Sequence, residues 1–176
     1  MDLGVLHGAL IVMLPAFDFR QAASRLATGI AVVTAFDHRP MGVTVSSLTS
    51  LSLEPPLLLF CLDRRSRAAA QFGEVEHFGV NILFAHQQRL SDQFAARMGD
   101  RFDGVAWERG RTGVPLLSEV LATFECSRHT CLPGGDHDIV IGEVLHVTTR
   151  SGVPLVRFSS AYHELNMPML TCSAPA

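Results

Sequence analysis

The chain reads as a mainly β protein, an antiparallel barrel or sandwich with Greek-key-like strands and a few short helices. Three observations lead there. Apolar, β-branched runs of strand length outnumber helical stretches, most follow one another with only turn residues between them, and the helical stretches are short insertions with no βαβ alternation. At 176 residues, 48% hydrophobic and 18% charged, the chain is long enough for one buried core and too apolar to be disordered.

Residues 1–16 form an apolar extension. Its run from Leu3 to Leu14 lacks the positive start and cleavage site of a signal peptide and falls short of the about 20 apolar residues that span a bilayer. Asp18 is placed to cap a short helix, with Gln21 three residues on and Phe19, Ala22, Ala23 and Leu26 on one face, ending at Gly29. Residues 29–36 (GIAVVTAF) and 43–53 (VTVSSLTSLSL) predict a hairpin around turn residues 37–40. Pro55 and Pro56 break the second strand, and the continuous apolar run 57–62 (LLLFCL) suits a fully buried core strand.

A helix over 64–72 opened by Ser66 comes next, then a strand over 78–84 interrupted by Asn81, a polar residue that needs partners if buried. Leu90, Phe94 and Ala95 give a helix over 86–97 its apolar side. The Gly-, Asp- and Arg-rich stretch 98–115, which holds the one Trp, Trp107, predicts a long loop with one short strand. Two long strands, 120–131 and 137–149, flank the turn Leu132-Pro133-Gly134-Gly135-Asp136, and a last strand, 155–158, leads to Tyr162 and a polar tail. The expected organisation is an extension (1–16), one domain (17–165) and a tail (166–176).

Composition removes several function classes. All 14 basic residues are Arg, so neither a Schiff-base lysine nor a P-loop lysine is available. A net charge of −3 argues against nucleic acid as the main partner. Cys61, Cys126, Cys131 and Cys172 are too few and too irregular for a secreted disulfide framework, which favours a cytoplasmic setting. The string Cys126, His129, Cys131 does not have structural zinc spacing, and strand alternation sends Cys126 and His129 to opposite faces, so no metal is expected. Neither the G-x-S-x-G elbow, H-E-x-x-H, the P-loop nor the Rossmann glycine motif occurs.

Four places bear chemistry. The segment Gly42 to Leu48 puts Thr44, Ser46 and Ser47 where a core strand prefers Val or Leu, which suits either a solvated edge or a surface that hydrogen-bonds a polar ring or phosphate. Arg64, Arg65, Ser66 and Arg67 precede or open a helix and read as a solvated basic turn or a phosphate clamp. His137, directly after the Gly134-Gly135 turn, is a surface histidine or one that positions a carboxamide. Tyr162, the one Tyr, is a rim residue on the simplest reading.

Five segments in order, 27–35 (ATGIAVVTA), 42–66 (GVTVSSLTSLSLEPPLLLFCLDRRS), 77–83 (HFGVNIL), 90–95 (LSDQFA) and 134–144 (GGDHDIVIGEV), resemble the flavin reductase family. More narrowly they are similar to the small NAD(P)H:flavin oxidoreductase components of two-component monooxygenases. The resemblance implies an FMN-binding split β-barrel acting as a homodimer, with FMN or FAD as flavin, NADH or NADPH as donor, and a partner monooxygenase that takes the reduced flavin. It places Thr44, Val45, Ser46, Ser47, Leu48 and Leu62 along the flavin ring and ribityl chain, Arg65, Ser66 and Arg67 on the phosphate, and Asn81, Phe94 and Ala95 nearby. His137 and Tyr162 would line the nicotinamide pocket. No side chain is an obligatory acid or base for hydride transfer. A reductase of another acceptor, such as a corrinoid or iron chelate, and a flavin-binding electron carrier are the alternatives.

Overall fold

The computed structural model describes residues 15–72 and 74–166. The extension up to residue 14, the tail from 167 and the Arg67 side chain lie outside this description. In chain order the elements are α1 (Ala16–Ala23), β1 (Thr28–Gly29), β2 (Ala31–Asp37), β3 (Arg39–Val45), β4 (Thr49–Leu53), β5 (Pro56–Asp63), α2 (Arg67–Phe72), β6 (His77–Ile82), α3 (Gln88–Ala95), β7 (Trp107–Arg109), β8 (Pro115–Leu117), β9 (Ala122–Gly134), β10 (His137–Thr149), β11 (Leu155–Phe158) and β12 (Ala161–Glu164).

Seven antiparallel strands form one sheet in the order β3-β2-β6-β9-β10-β5-β4, with β1-β11-β12 and β7-β8 as smaller sheets. The two edge strands of the large sheet, β3 and β4, are consecutive in the chain, separated by residues 46–48. Val45 and Thr49 are four residue steps apart, a span of at most roughly 13 Å, so the two edges must come round to meet and the sheet curls into a barrel. The edges meet without pairing. This split is the feature from which the site is built.

The barrel interior holds Ala31, Val33, Ala35, Val45, Leu58, Phe60, Leu62, Phe72, Phe78, Val80, Cys126 and Val140. Phe60 meets Phe78 edge to face with centroids 5.3 Å apart. A second cluster, Ile30, Val32, Leu83, Phe94, Phe102, Leu117, Val120 and Leu155, lies on the other side of β2, under α3 and the β1-β11 pair. Strand β2 is therefore buried on both faces, whereas β5 alternates: Leu58, Phe60 and Leu62 point inward, and Leu57, Leu59 and Cys61 remain half-exposed. The continuous apolar run of 57–62 does not mark a fully buried strand. Its outward leucines belong to an uncovered face.

Other expectations need correction. The strand expected over 43–53 is two strands, because the barrel corner breaks it at 46–48. Asp18 is not the cap of α1; it sits in the first turn, where its charge favours the helix dipole, and the helix stops at Ala23 well before Gly29. None of its residues is buried, so the apolar side through Phe19 finds no cover among the described residues. The stretch 98–115 contributes to two strands, since Trp107 and Pro115 open the β7-β8 hairpin, and Tyr162 lies within β12, not beyond the last strand. The presence of the β9-β10 hairpin, of the cap at Ser66 and of β11 agrees with the sequence reading, but β9 extends through Leu132, Pro133 and Gly134, which the sequence reading places in the turn. At the tip of that hairpin Gly135 takes φ 72°, a left-handed conformation that suits glycine.

Candidate functional site

Residues 46–48 lie in neither β3 nor β4, so their backbone groups are outside both ladders. The three hydroxyls around them have different fates. Thr44 Oγ1 donates to the Ser91 carbonyl on α3 at 2.7 Å. Ser47 Oγ accepts the Cys61 N–H at 2.9 Å and donates to the Cys61 carbonyl at 3.3 Å, stitching the corner to β5 across the split. Ser46 is exposed, and among the described residues its hydroxyl has no partner. Val45 points into the barrel core, and Leu48 packs against that core from its margin. From this segment one free hydroxyl and the backbone face outward, a donor and acceptor set that fits the polar rim of an isoalloxazine ring.

Strand β5 leads from Cys61, beside Ser47, to Asp63, which lies opposite His137 on β10. The register thus brings the basic turn 64–67 and His137 to one end of the barrel. Asp63 accepts from Arg65 Nε at 3.1 Å and Nη2 at 3.0 Å, and the Arg65 fork holds its carboxyl down at about 2. Arg64 Nε donates to Asp138 Oδ1 at 2.7 Å. Ser66 Oγ accepts the Ala69 N–H at 3.1 Å as the cap of α2 and keeps its own proton for another acceptor. His137 Nδ1 lies 2.7 Å from Asp136 Oδ1, and this bond holds the Asp136 carboxyl below the usual range. A carboxylate only accepts, so Nδ1 carries the proton and a neutral His137 presents Nε2 as an acceptor.

Several predicted contacts go elsewhere. The Leu62 side chain is in the barrel core. Asn81 is fully buried and its amide is spent: Nδ2 donates to the Val32 carbonyl at 2.9 Å and to Thr34 Oγ1 at 3.2 Å, and Oδ1 accepts the Leu117 N–H at 2.8 Å. The partners that a buried Asn requires tie β8 to the sheet. Phe94 is fully buried against Phe102 and Gly42, while Ala95 is exposed at the end of α3. The Arg65 fork is held by Asp63, so its two strongest donors are already engaged. Tyr162 OH reaches α3, donating to Asp92 Oδ1 at 2.9 Å and lying 2.9 Å from Ser91 Oγ. Among the described residues no hydrogen bond or ring contact joins it to His137.

Sequence reasoning did not single out Asp63, Asp136, Asp138 or Ser91. The acidic residues show only as Asp beside Arg or His at two strand ends; Asp63 pairs with Arg65 and Asp136 with His137 locally, whereas the Arg64–Asp138 pair depends on the β5-β10 register. A cleft of about 280 Å³ also opens next to Gly42, with Arg39, Met41, Gln71, Arg97 and Arg101 on its walls. Arg101 bridges β3 and the end of α3, donating to the Gly42 carbonyl at 2.6 Å and twice to the Ala96 carbonyl. Neither Ser46 nor His137 lies in this cleft; both open on the surface of the single chain.

Against known proteins, residues 23–166 match the family model described as flavin reductase like domain. A protein of Rhizobium meliloti named probable flavin reductase is 45% identical over 71% of this chain, which spans 41% of that longer protein. The FMN reductase (NADH) SmoA of Agrobacterium fabrum is 41% identical over 82% of this chain and 83% of its own length. Among solved structures, the Streptomyces globisporus NADH:FAD oxidoreductase SgcE6, in complex with NAD and FAD fragments, superposes with TM-score 0.82 at 32% identity, covering 85% of this chain and 92% of that one. With the barrel, its split and the family match in agreement, the chain belongs to the flavin reductase like family.

Proposed function

We propose that the chain is an NAD(P)H:flavin oxidoreductase that reduces FMN or FAD and delivers reduced flavin to a partner monooxygenase. The observation that carries this reading is the meeting of three elements at the barrel split: the ladder-free corner 46–48, the basic turn after β5, and His137. When bound, the flavin supplies the N5 acceptor for the hydride from nicotinamide C4. The chain's residues bind and orient. Ser46 and the 46–48 backbone hold the ring edge, and Ser66, Arg67 and the free side of Arg65 take the phosphate. Nε2 of His137 accepts from the nicotinamide carboxamide, with Asp136 fixing its tautomer.

The proposal includes a homodimer. The outward face of β5, β9 and β10 presents Leu57, Leu59, Ile141 and Leu132, with Leu132 47% exposed. An apolar sheet face of this extent suits a protein interface. A second copy would also wall in the open ends near Ser46 and His137. Cys61, Cys126 and Cys131 are free thiols, in keeping with a reducing cytoplasm, and among the described residues no helix is long and apolar enough to cross a membrane.

NADH and NADPH oxidation, with and without added FMN, FAD or riboflavin, tests the activity and settles both cofactor choices. Turnover that depends on flavin is expected. Flavin bound without oxidation of either nicotinamide would overturn the reductase reading in favour of a carrier, and turnover with only a metal chelate or corrinoid would move the acceptor. Ser66→Ala combined with Arg67→Ala is expected to weaken flavin affinity about tenfold or more; unchanged affinity in a flavin titration would remove the phosphate assignment.

A further inference from the structure

Tyr162 sits between two hydroxyl-bearing elements, and its proton can be assigned. Its OH contacts both Asp92 Oδ1 and Ser91 Oγ at 2.9 Å. The carboxylate accepts only, so the single phenolic proton goes to Asp92 and Ser91 Oγ–H donates to the Tyr162 oxygen. Ser91 is fully buried, and its carbonyl in turn accepts the Thr44 hydroxyl at 2.7 Å. A continuous chain therefore runs from β12 through α3 to the last residues of β3, immediately before the corner 46–48. The Arg157 guanidinium lies 5.5 Å from the Tyr162 ring centroid. With its proton spent on Asp92, Tyr162 has no donor left for a nicotinamide.

We infer that Tyr162 is a positioning residue for the flavin-binding corner, acting through Ser91 and Thr44, and not a contact of the nicotinamide. Thr44 is the next-to-last residue of β3, paired with Val32 in the ladder with β2, and beyond Val45 the corner has no strand partner. Fixing the Thr44 side chain to α3 narrows the conformations open to Ser46 and its neighbours before a ligand arrives, which lowers the ordering cost of binding. The inference rests on the reading of 46–48 as a flavin site.

Tyr162→Phe, which keeps the ring and removes only the hydroxyl, is the test, with Ser91→Ala and the double variant beside it. The FMN dissociation constant is expected to rise about 3- to 10-fold in each single variant, and the double variant should be no worse than the weaker-binding single one, because the hydroxyls act in series. The KM for the nicotinamide donor should stay within twofold. A raised donor KM with unchanged FMN affinity would overturn the inference and return Tyr162 to the nicotinamide pocket. Hydrogen exchange of the free protein supplies a measurement independent of any ligand: Tyr162→Phe should speed exchange in the peptide covering residues 44–48, and unchanged exchange there would also overturn it. Failure of wild-type protein to bind FMN or FAD, with faster exchange still seen in the variant, would sink the flavin reading of the corner and leave the mechanical link standing.

Discussion

His137 shows how one neighbour settles what a side chain offers. Asp136 accepts the Nδ1–H bond, so the neutral ring presents Nε2 as an acceptor, and His137→Ala should raise the KM for NADH or NADPH several-fold while a flavin titration stays unchanged. Steady-state kinetics equal to wild type would exclude the role. Glu125 on β9 illustrates a structural charge. Burial alone would raise its pKa, yet the Thr112 hydroxyl at 2.7 Å and the Thr112 and Arg111 N–H groups at 2.7 and 3.1 Å outweigh that and hold it below the usual carboxylate value. A carboxyl whose folded pKa lies below its unfolded one stabilises the fold above about pH 4.3, and that contribution is lost as the pH falls through the folded value. Glu125→Gln should therefore lower the melting temperature at pH 7 and flatten its fall between pH 5 and 3, roughly the window of that titration; parallel melting curves for the two proteins would contradict this. The His137–Asp136 pair joins neighbours in the chain, whereas the Glu125 contacts are not visible in the order of residues, because Arg111 and Thr112 come from the turn between β7 and β8.

The elements follow the sequence where local chemistry is strong and depart from it where the barrel intervenes. Ser66 opens α2, and the Gly- and Pro-rich stretch joins β9 to β10, although β9 runs on through Leu132, Pro133 and Gly134 and leaves only Gly135-Asp136 as the turn. The hairpin β7-β8 escapes notice because its strands have three residues each and depend on Asn81 for the bond to Leu117. Asn81 was legible as a buried polar residue, though its use as a tie and not a ligand contact was not. Strand β10 has a packing requirement of its own at Gly142, beside a register shift against β9. A methyl group there would lie 2.3 Å from Phe78 Cζ, and Phe78 is already packed on Phe60. Gly142→Ala should cost about 1–3 kcal/mol and lower the melting temperature by roughly 2–4 °C for each kcal/mol. A thermal melt superimposable on wild type would show that the ring has room to move.

In the whole molecule the apolar outer face of β5 and β10 decides whether the single chain is the working unit. Leu59 and Ile141 face each other across the strands and point away from the core. Leu59→Asp, outside the barrel interior, should shift a dimer to a monomer in light scattering and raise the flavin dissociation constant, while the circular dichroism of the barrel is kept; a wild-type protein that is already monomeric would refute the dimer. The strand-rich architecture, most strand positions, the hydroxyl-bearing corner, the basic turn and His137 are all written in the sequence, because apolar alternation, turn residues and ordered motifs are local properties. Closure into a split barrel was legible through the family resemblance and not through periodicity, and the fate of each candidate side chain was not legible from the chain order. Those fates follow from the meeting of β3 and β4, which leaves Ser46 open while it commits Thr44 to α3 and Ser47 to β5, and from strand register, which sends Leu62, Asn81 and Phe94 inward. Contacts between residues far apart in the chain depend on how the sheet closes, and only the folded molecule fixes that.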